Sequence, residues 1–89
     1  MRRAFANRVD ETEKSLVAYA KSIGFGYAKC GLDWDGDLFW GQTVIPVDWK
    51  SPDKGTVKPK QLKLLAAGFP LRFLSRPEQL DQLKAEMTR

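Results

Sequence analysis

The sequence predicts a single α/β domain of the α+β kind: a mixed sheet whose elements follow the order αβββαβ, with a further helix at the C-terminus. Three observations carry this. The chain has 89 residues, enough for one compact core and too few for two. Its apolar residues change period along the chain, from helical spacing over 10–23 to strand-like runs over 25–49 and back to helical spacing after Pro59. Glycine and proline punctuate the changes, at Gly24, Gly41, Pro59, Gly68 and Pro77.

Residues 10–23 read as the first helix. Asp10 or Thr12 can cap it, Glu11 and Glu13 suit its positive first turn, and Gly24 ends it. Leu16, Val17, Ala20 and Ile23 form one apolar stripe. Extended back, the stripe reaches Glu13, whereas Glu11 falls with Lys14, Ser15 and Ser22 on the wet side. Residues 1–8 ahead of it are expected to be a mobile basic arm. Phe25 to Cys30 reads as a strand, followed by the turn-rich 31–36. Asp37 to Trp40 and Thr43 to Trp49 are two strands joined at Gly41-Gln42, where glycine in the first central position suits a two-residue type II′ turn. The second is apolar on both faces, as a covered central strand would be, but Pro46 cannot donate a ladder bond and implies a bulge or an unpaired position. Residues 51–57 are a polar loop. Pro59 opens a helix that runs to Gly68, Pro70 to Leu74 is a short strand, and Arg76 to about Met87 is the last helix, with Leu80 and Leu83 inward.

The chain carries 15 Lys/Arg, 11 Asp/Glu and no His, for a net charge of +4. The layout of the charge says more than its sum. Residues 1–8 are net +3 (Arg2, Arg3, Arg8), residues 9–49 net −4, residues 50–63 net +4 (Lys50, Lys54, Lys58, Lys60 and Lys63 against Asp53), and the remainder +1. An acidic middle is flanked by basic arms, as it would be for carboxylates set beside a phosphate-binding surface. The single cysteine, Cys30, excludes an internal disulfide and a multi-cysteine zinc site, and the lack of histidine removes the usual neutral-pH proton shuttle. Any catalysis must therefore use carboxylates, lysine or a hard metal. With no membrane-span or signal-peptide pattern, a cytoplasmic protein is expected.

Val47-Asp48-Trp49-Lys50 is the most informative tetrapeptide. Alternation along a strand puts Asp48 and Lys50 on one face and Trp49 on the other. With the hairpin turning at Gly41-Gln42, facing residues have numbers summing to 83, so Asp35 lies opposite Asp48 and Asp37 lies diagonal to it. A turn one residue later would set Asp37 opposite Asp48 instead. Carboxylates gathered on one face repel one another unless a cation is bound, and oxygen ligands without His or Cys suit Mg²⁺ or Mn²⁺.

Together with its neighbours this pattern resembles the PD-(D/E)XK nuclease superfamily, and within it the small VRR-NUC type of phages and bacteria. The residues carrying the resemblance are Glu13 on the first helix, Gly36-Asp37-Leu38-Phe39 at a strand start, Asp48-Trp49-Lys50, and Val57-Lys58-Pro59-Lys60-Gln61 at a helix start. Ala67-Gly68-Phe69-Pro70-Leu71 and Ser75-Arg76-Pro77-Glu78 follow in the family's order, so the likeness spans about residues 8–86. The chain departs from the family pattern in having Gly36 where proline is usual, Asp48 in place of glutamate, and Pro46 within the central strand.

The resemblance implies a restriction-endonuclease-like core and metal-dependent hydrolysis of DNA phosphodiesters, directed by structure, at branched or duplex DNA, rather than by sequence. Asp37 and Asp48, with Glu13, would hold Mg²⁺ or Mn²⁺; local sequence favours Asp37 and register favours Asp35 as the first acidic ligand, with Asp37 preferred. Lys50 would stabilise charge on the phosphate, and Gln61 would orient Lys50 or the attacking water. Arg2, Arg3, Arg8, Lys54, Lys58, Lys60 and Lys63 would contact the nucleic-acid backbone. Trp49 reads as core, while Trp34 and Trp40 are candidates for a dimer interface or base stacking. One active site per chain and two strands to cut imply a homodimer. The competing readings are a non-catalytic nucleic-acid- or partner-binding module that keeps the fold, and a metal-free structural domain.

Overall fold

The computed structural model describes residues 2–52 and 56–89, with side chains in the first helix described from Glu11 onward. The elements are α1 (Arg2–Ser22), β1 (Gly26–Lys29), β2 (Gly36–Trp40), β3 (Thr43–Trp49), α2 (Pro59–Ala66), β4 (Arg72–Leu74) and α3 (Pro77–Met87). The strands form one sheet in the order β1-β2-β3-β4, antiparallel except for the parallel β3–β4 pair reached by the crossover through α2. The α+β class, the element order and the C-terminal helix are those the sequence predicts.

The first helix corrects an expectation. It begins at Arg2, so the backbone bearing Arg2, Arg3 and Arg8 is helical rather than a mobile arm. Nothing in Arg-Arg-Ala-Phe-Ala-Asn-Arg-Val breaks a helix, and without proline or glycine there the helix continues past the polar caps at Asp10 and Thr12.

One face of the sheet carries the core. Leu38 of β2 and Ile45, Val47 and Trp49 of β3 pack with Leu16 and Ala20 of α1, Phe25, Leu74, and Leu80 and Leu83 of α3, all of them buried. The hairpin register is continuous from Trp40↔Thr43 to Gly36↔Val47. Gly41 has φ +62° and, among the described residues, no non-glycine residue has positive φ, which makes this a type II′ turn rather than type I′. Pro46 causes no bulge, because it pairs in register with Asp37. The Lys50 amide donates to the Leu74 carbonyl, on the β4 side. Alternation turns the Pro46 nitrogen the same way, and β4 starts only opposite Val47, so no ladder bond is lost.

Both remaining helices start with proline, and each has a glutamine at its third position reaching back. Gln61 Oε1 accepts from the Lys58 amide at 3.1 Å, and Gln79 Oε1 accepts from the Ser75 and Arg76 amides at 2.7 and 3.0 Å. In α2 this cap fixes the glutamine that enters the site. Among the described residues no helix is long and apolar enough to cross a membrane.

Candidate functional site

The candidate site forms at one end of the sheet, where β3 ends, β2 begins and α2 starts. Asp48 and Lys50 share the face of β3 opposite the core, and Lys50 Nζ lies 2.8 Å from Asp48 Oδ2. Both side chains are largely withdrawn from solvent, 10% and 14% exposed, so this is a buried ion pair. Such a pair persists only when the remaining hydrogen-bonding capacity is used. Here Lys50 Nζ also donates to the Thr56 carbonyl at 2.8 Å and to Gln61 Oε1 at 3.1 Å, and lies 5.5 Å from the Phe73 ring centre. Gln61 is fully buried, and its Nε2 donates to the Asp33 carbonyl at 2.9 Å. One side chain thus ties the start of α2 to the loop before β2 and to the end of β3.

Asp35 completes the group. Continuing the observed register by one residue places it across from Asp48, and its Oδ2 accepts the Trp49 amide at 2.8 Å. Its pKa is raised. Burial is the main cause, the Trp49 hydrogen bond opposes it, and the charges of Asp48 and Glu13, with a hydrogen bond to Asp48, add to the rise. Two carboxylates are therefore held against each other at a cost in electrostatic energy.

Glu13 stands on the other side of Asp35, within its electrostatic reach. Lys29 Nζ contacts both of its oxygens at 2.8 and 3.0 Å, and the Tyr27 hydroxyl donates to Oε2 at 3.3 Å. That hydroxyl accepts in turn from the Trp49 indole at 3.1 Å. Burial, acting against the Trp49 bond and with the Glu13 charge, pushes the Tyr27 phenol well above its ordinary range, so it stays a donor. The Tyr27–Trp49 relay is the part of the site that sequence reading missed; its one signal is strand alternation, which puts both rings on the core face. Gly36 belongs to the same arrangement. A Cβ there would sit 2.5 Å from both the Ala28 carbonyl oxygen and the Tyr27 hydroxyl, which is the reason for glycine at this position.

Asp37 shares the Asp48 face but stands one pair further along, opposite Pro46, and its Oδ1 accepts from the Trp34 indole at 3.1 Å. The carboxylate brought against Asp48 is thus Asp35, because the turn falls at Gly41-Gln42 and fixes the register. Trp34 meets Phe69 at a tilt of 50° with ring centres 4.7 Å apart, and Trp40 meets Phe25 edge-on at 5.1 Å with Lys84 over its ring.

Lys58 and Lys60 are exposed on a cleft of about 490 Å³ at the start of α2, shared with Leu32, Asp33, Pro59 and Gln61, and Lys63 is exposed one turn further along the helix. Lys54, and the side chains of Arg2, Arg3 and Arg8, lie outside the described residues.

The donor set for a metal is all oxygen. Among the described residues, no group of three or more acidic, histidine or cysteine side chains comes together as a ready-made ligand cluster. The adjoining Asp35 and Asp48 carboxylates are the pair, and one or two carboxylates completed by water is the ordinary protein share of a Mg²⁺ site. The residues fit such an ion. Comparison of the chain with known protein families, with curated proteins and with solved structures finds no match.

Proposed function

We propose that the protein is a divalent-metal-dependent endonuclease that hydrolyses DNA phosphodiester bonds and selects its substrate by structure, at a branch or flap, rather than by base sequence. The observation that carries this reading is the meeting of Asp35, Asp48, Lys50 and Gln61 at the end of the central strand, with Glu13 within electrostatic reach of Asp35. A domain with only structural demands gains nothing from a buried and a half-buried carboxylate set against each other, whereas a cation site needs them.

Asp35 and Asp48 would hold Mg²⁺ or Mn²⁺, with Glu13 reaching it through water. When bound, the ion would activate water and offset charge on the scissile phosphate. Lys50, paired with Asp48 and aimed by Gln61 and the Thr56 carbonyl, would add positive charge where the phosphate develops negative charge. Trp49 fixes both flanks of the site, its amide holding Asp35 and its indole the Tyr27 hydroxyl that orients Glu13. Lys58, Lys60 and Lys63 would bind the phosphate backbone, as would Lys54 and the arginines of α1. A homodimer would supply the second site needed to cut both strands; a single monomeric species in sedimentation, with and without DNA, would refute that part.

A second reading, a binding module that retains the fold without catalysis, is favoured by the close engagement of Lys50, which already contacts three oxygen acceptors. The test separates the two. Linear, flapped and four-way-junction DNA are incubated with the protein in Mg²⁺ or Mn²⁺, wild type beside Lys50→Ala and Asp35→Asn. Metal-dependent cleavage by wild type that both variants lose is the expected result. Equal cleavage by all three removes the assignment, and binding without cleavage in either metal selects the second reading.

A further inference from the structure

A second cleft, of about 450 Å³, opens between α1 and β1 and is lined by Glu13, Lys14, Val17, Ala18, Lys21, Tyr27 and Lys29. Glu13 and Tyr27 belong to the candidate site, so the cleft is continuous with it. Lys14 and Lys21 stand seven residues apart on α1, two turns along one face, and both are exposed. Lys29 faces them from β1 while contacting Glu13 at 2.8 Å. Between the lysines the floor is apolar: Val17, the methyl of Ala18 and the Tyr27 ring, whose hydroxyl is turned inward to Glu13 and Trp49. Three cations around a small apolar floor, with one anion at the end nearest the site, match a nucleotide unit, which offers a phosphate charge and an apolar base face. The volume falls in the range, about 300–1,000 Å³, that holds one small ligand, and the face of a base is free to lie on this floor only when the base is unstacked.

We propose that this cleft binds an unpaired nucleotide of the DNA strand next to the bond to be cut, with phosphates on Lys14 and Lys21 and the base against Val17, Ala18 and Tyr27. The proposal rests on the nuclease reading and deepens it. The strand crosses the candidate site with the α1–β1 cleft on one side and the Lys58–Lys60 cleft on the other. Substrate selection by structure then has a physical origin, because only a strand released from pairing, as at a flap, fills the α1–β1 cleft.

The test is binding without cleavage. Fluorescein-labelled oligo(dT) and a blunt duplex of equal length are titrated in EDTA against the full chain, the variant Lys14→Glu/Lys21→Glu, and a charge-matched control, Arg76→Glu/Arg89→Glu, whose positions do not line the cleft. Thermal melting checks that each variant folds. The cleft variant is expected to lose at least about tenfold in affinity for the oligonucleotide, and the slope of log K against log salt to fall in magnitude by about 1.4, the value for two lost single-strand phosphate contacts. The control should bind within about twofold of wild type, and blunt duplex should be affected less than the single strand. Unchanged oligonucleotide binding by the cleft variant, equal losses in both variants, or no binding by wild type would each overturn the proposal. Cleavage of flapped DNA is scored separately. Cleavage with normal binding by the cleft variant removes the cleft alone; a localised binding loss with no cleavage by wild type removes the nuclease reading and leaves the cleft as a binding site.

Discussion

Gln61 is the residue on which the geometry of the site depends most, and its replacement by alanine has a cost that can be worked out. The side chain is 1% exposed and makes three hydrogen bonds, accepting from Lys50 Nζ and the Lys58 amide and donating to the Asp33 carbonyl. A bond to a charged group contributes about 1.5–3 kcal/mol and a neutral one about 0.5–1.5 kcal/mol. Lys58 and Asp33 are in exposed residues and regain water when the amide is removed, and Lys50 keeps two other acceptors. The net loss for Gln61→Ala is therefore about 2–4 kcal/mol. Against a total stability of roughly 4–13 kcal/mol for a chain of this length, that is a large fraction. It corresponds to a melting temperature lower by roughly 10–25 °C. Urea unfolding followed by circular dichroism measures it directly. A loss below about 1 kcal/mol for Gln61→Ala would refute the view that this amide ties the three segments together.

Other outcomes follow from the same geometry. Because the folded state raises the Asp35 pKa, protonated Asp35 favours folding at low pH and that contribution is lost as pH rises through the folded pKa. Asp35→Asn, which keeps an acceptor for the Trp49 amide, should melt above wild type at pH 8 with the difference vanishing toward pH 4, and Mg²⁺ should raise the melting temperature of wild type alone; a pH-independent difference would refute this. Lys50→Met leaves Asp48 buried without its counter-ion and should cost about 3–5 kcal/mol by urea unfolding, with the loss recovered in full on adding Asp48→Leu. Tyr27→Phe, breaking the bridge between Trp49 and Glu13, should cost about 1–2 kcal/mol in the same assay. Leu38→Ala, at a fully buried position in mid-sheet, should cost about 2–5 kcal/mol while leaving the proposed site assembled, as read by oligonucleotide binding.

What was legible in the sequence was what local physics decides. Gly41-Gln42 sets the turn type, the turn sets the register, and the register brings Asp35 to Asp48. Pro59 and Gln61 mark the start of α2 and the glutamine that reaches back from it. Residues whose partners are distant in the chain were harder to place. Local sequence favours Asp37 through its neighbours Leu38 and Phe39, but side-chain alternation cannot report that the Trp34 indole donates to its Oδ1. Pro46 looked like a defect in a central strand, because the sequence does not reveal that β4 begins one residue too late to need its missing amide. Trp34 and Trp40 each flank a turn and remain partly exposed, and the sequence does not show that Phe69 and Phe25 reach them from other parts of the chain. The helical N-terminus escaped notice because a run of arginines reads as solvated charge whether or not the backbone beneath it is helical.

The electrostatics of the site give a reason to place function there that does not depend on family likeness. Asp35 lies half-buried against Asp48, and its charged form is penalised by burial and by two neighbouring carboxylates. An asparagine would keep the bond to the Trp49 amide and remove the repulsion, so a chain under selection for stability alone has a simple improvement available at this position. Keeping the carboxylate makes sense if something that binds there repays the cost, and a divalent cation between two acids is the simplest such partner. Lys50 supports the same conclusion from the opposite charge. Its ammonium is held beside Asp48 by a glutamine that is itself buried, an arrangement that a hydrophobic trio of similar volume would match or exceed in stability. Both features cost stability at one end of one strand, and both would be recovered only when an anion and its metal arrive together.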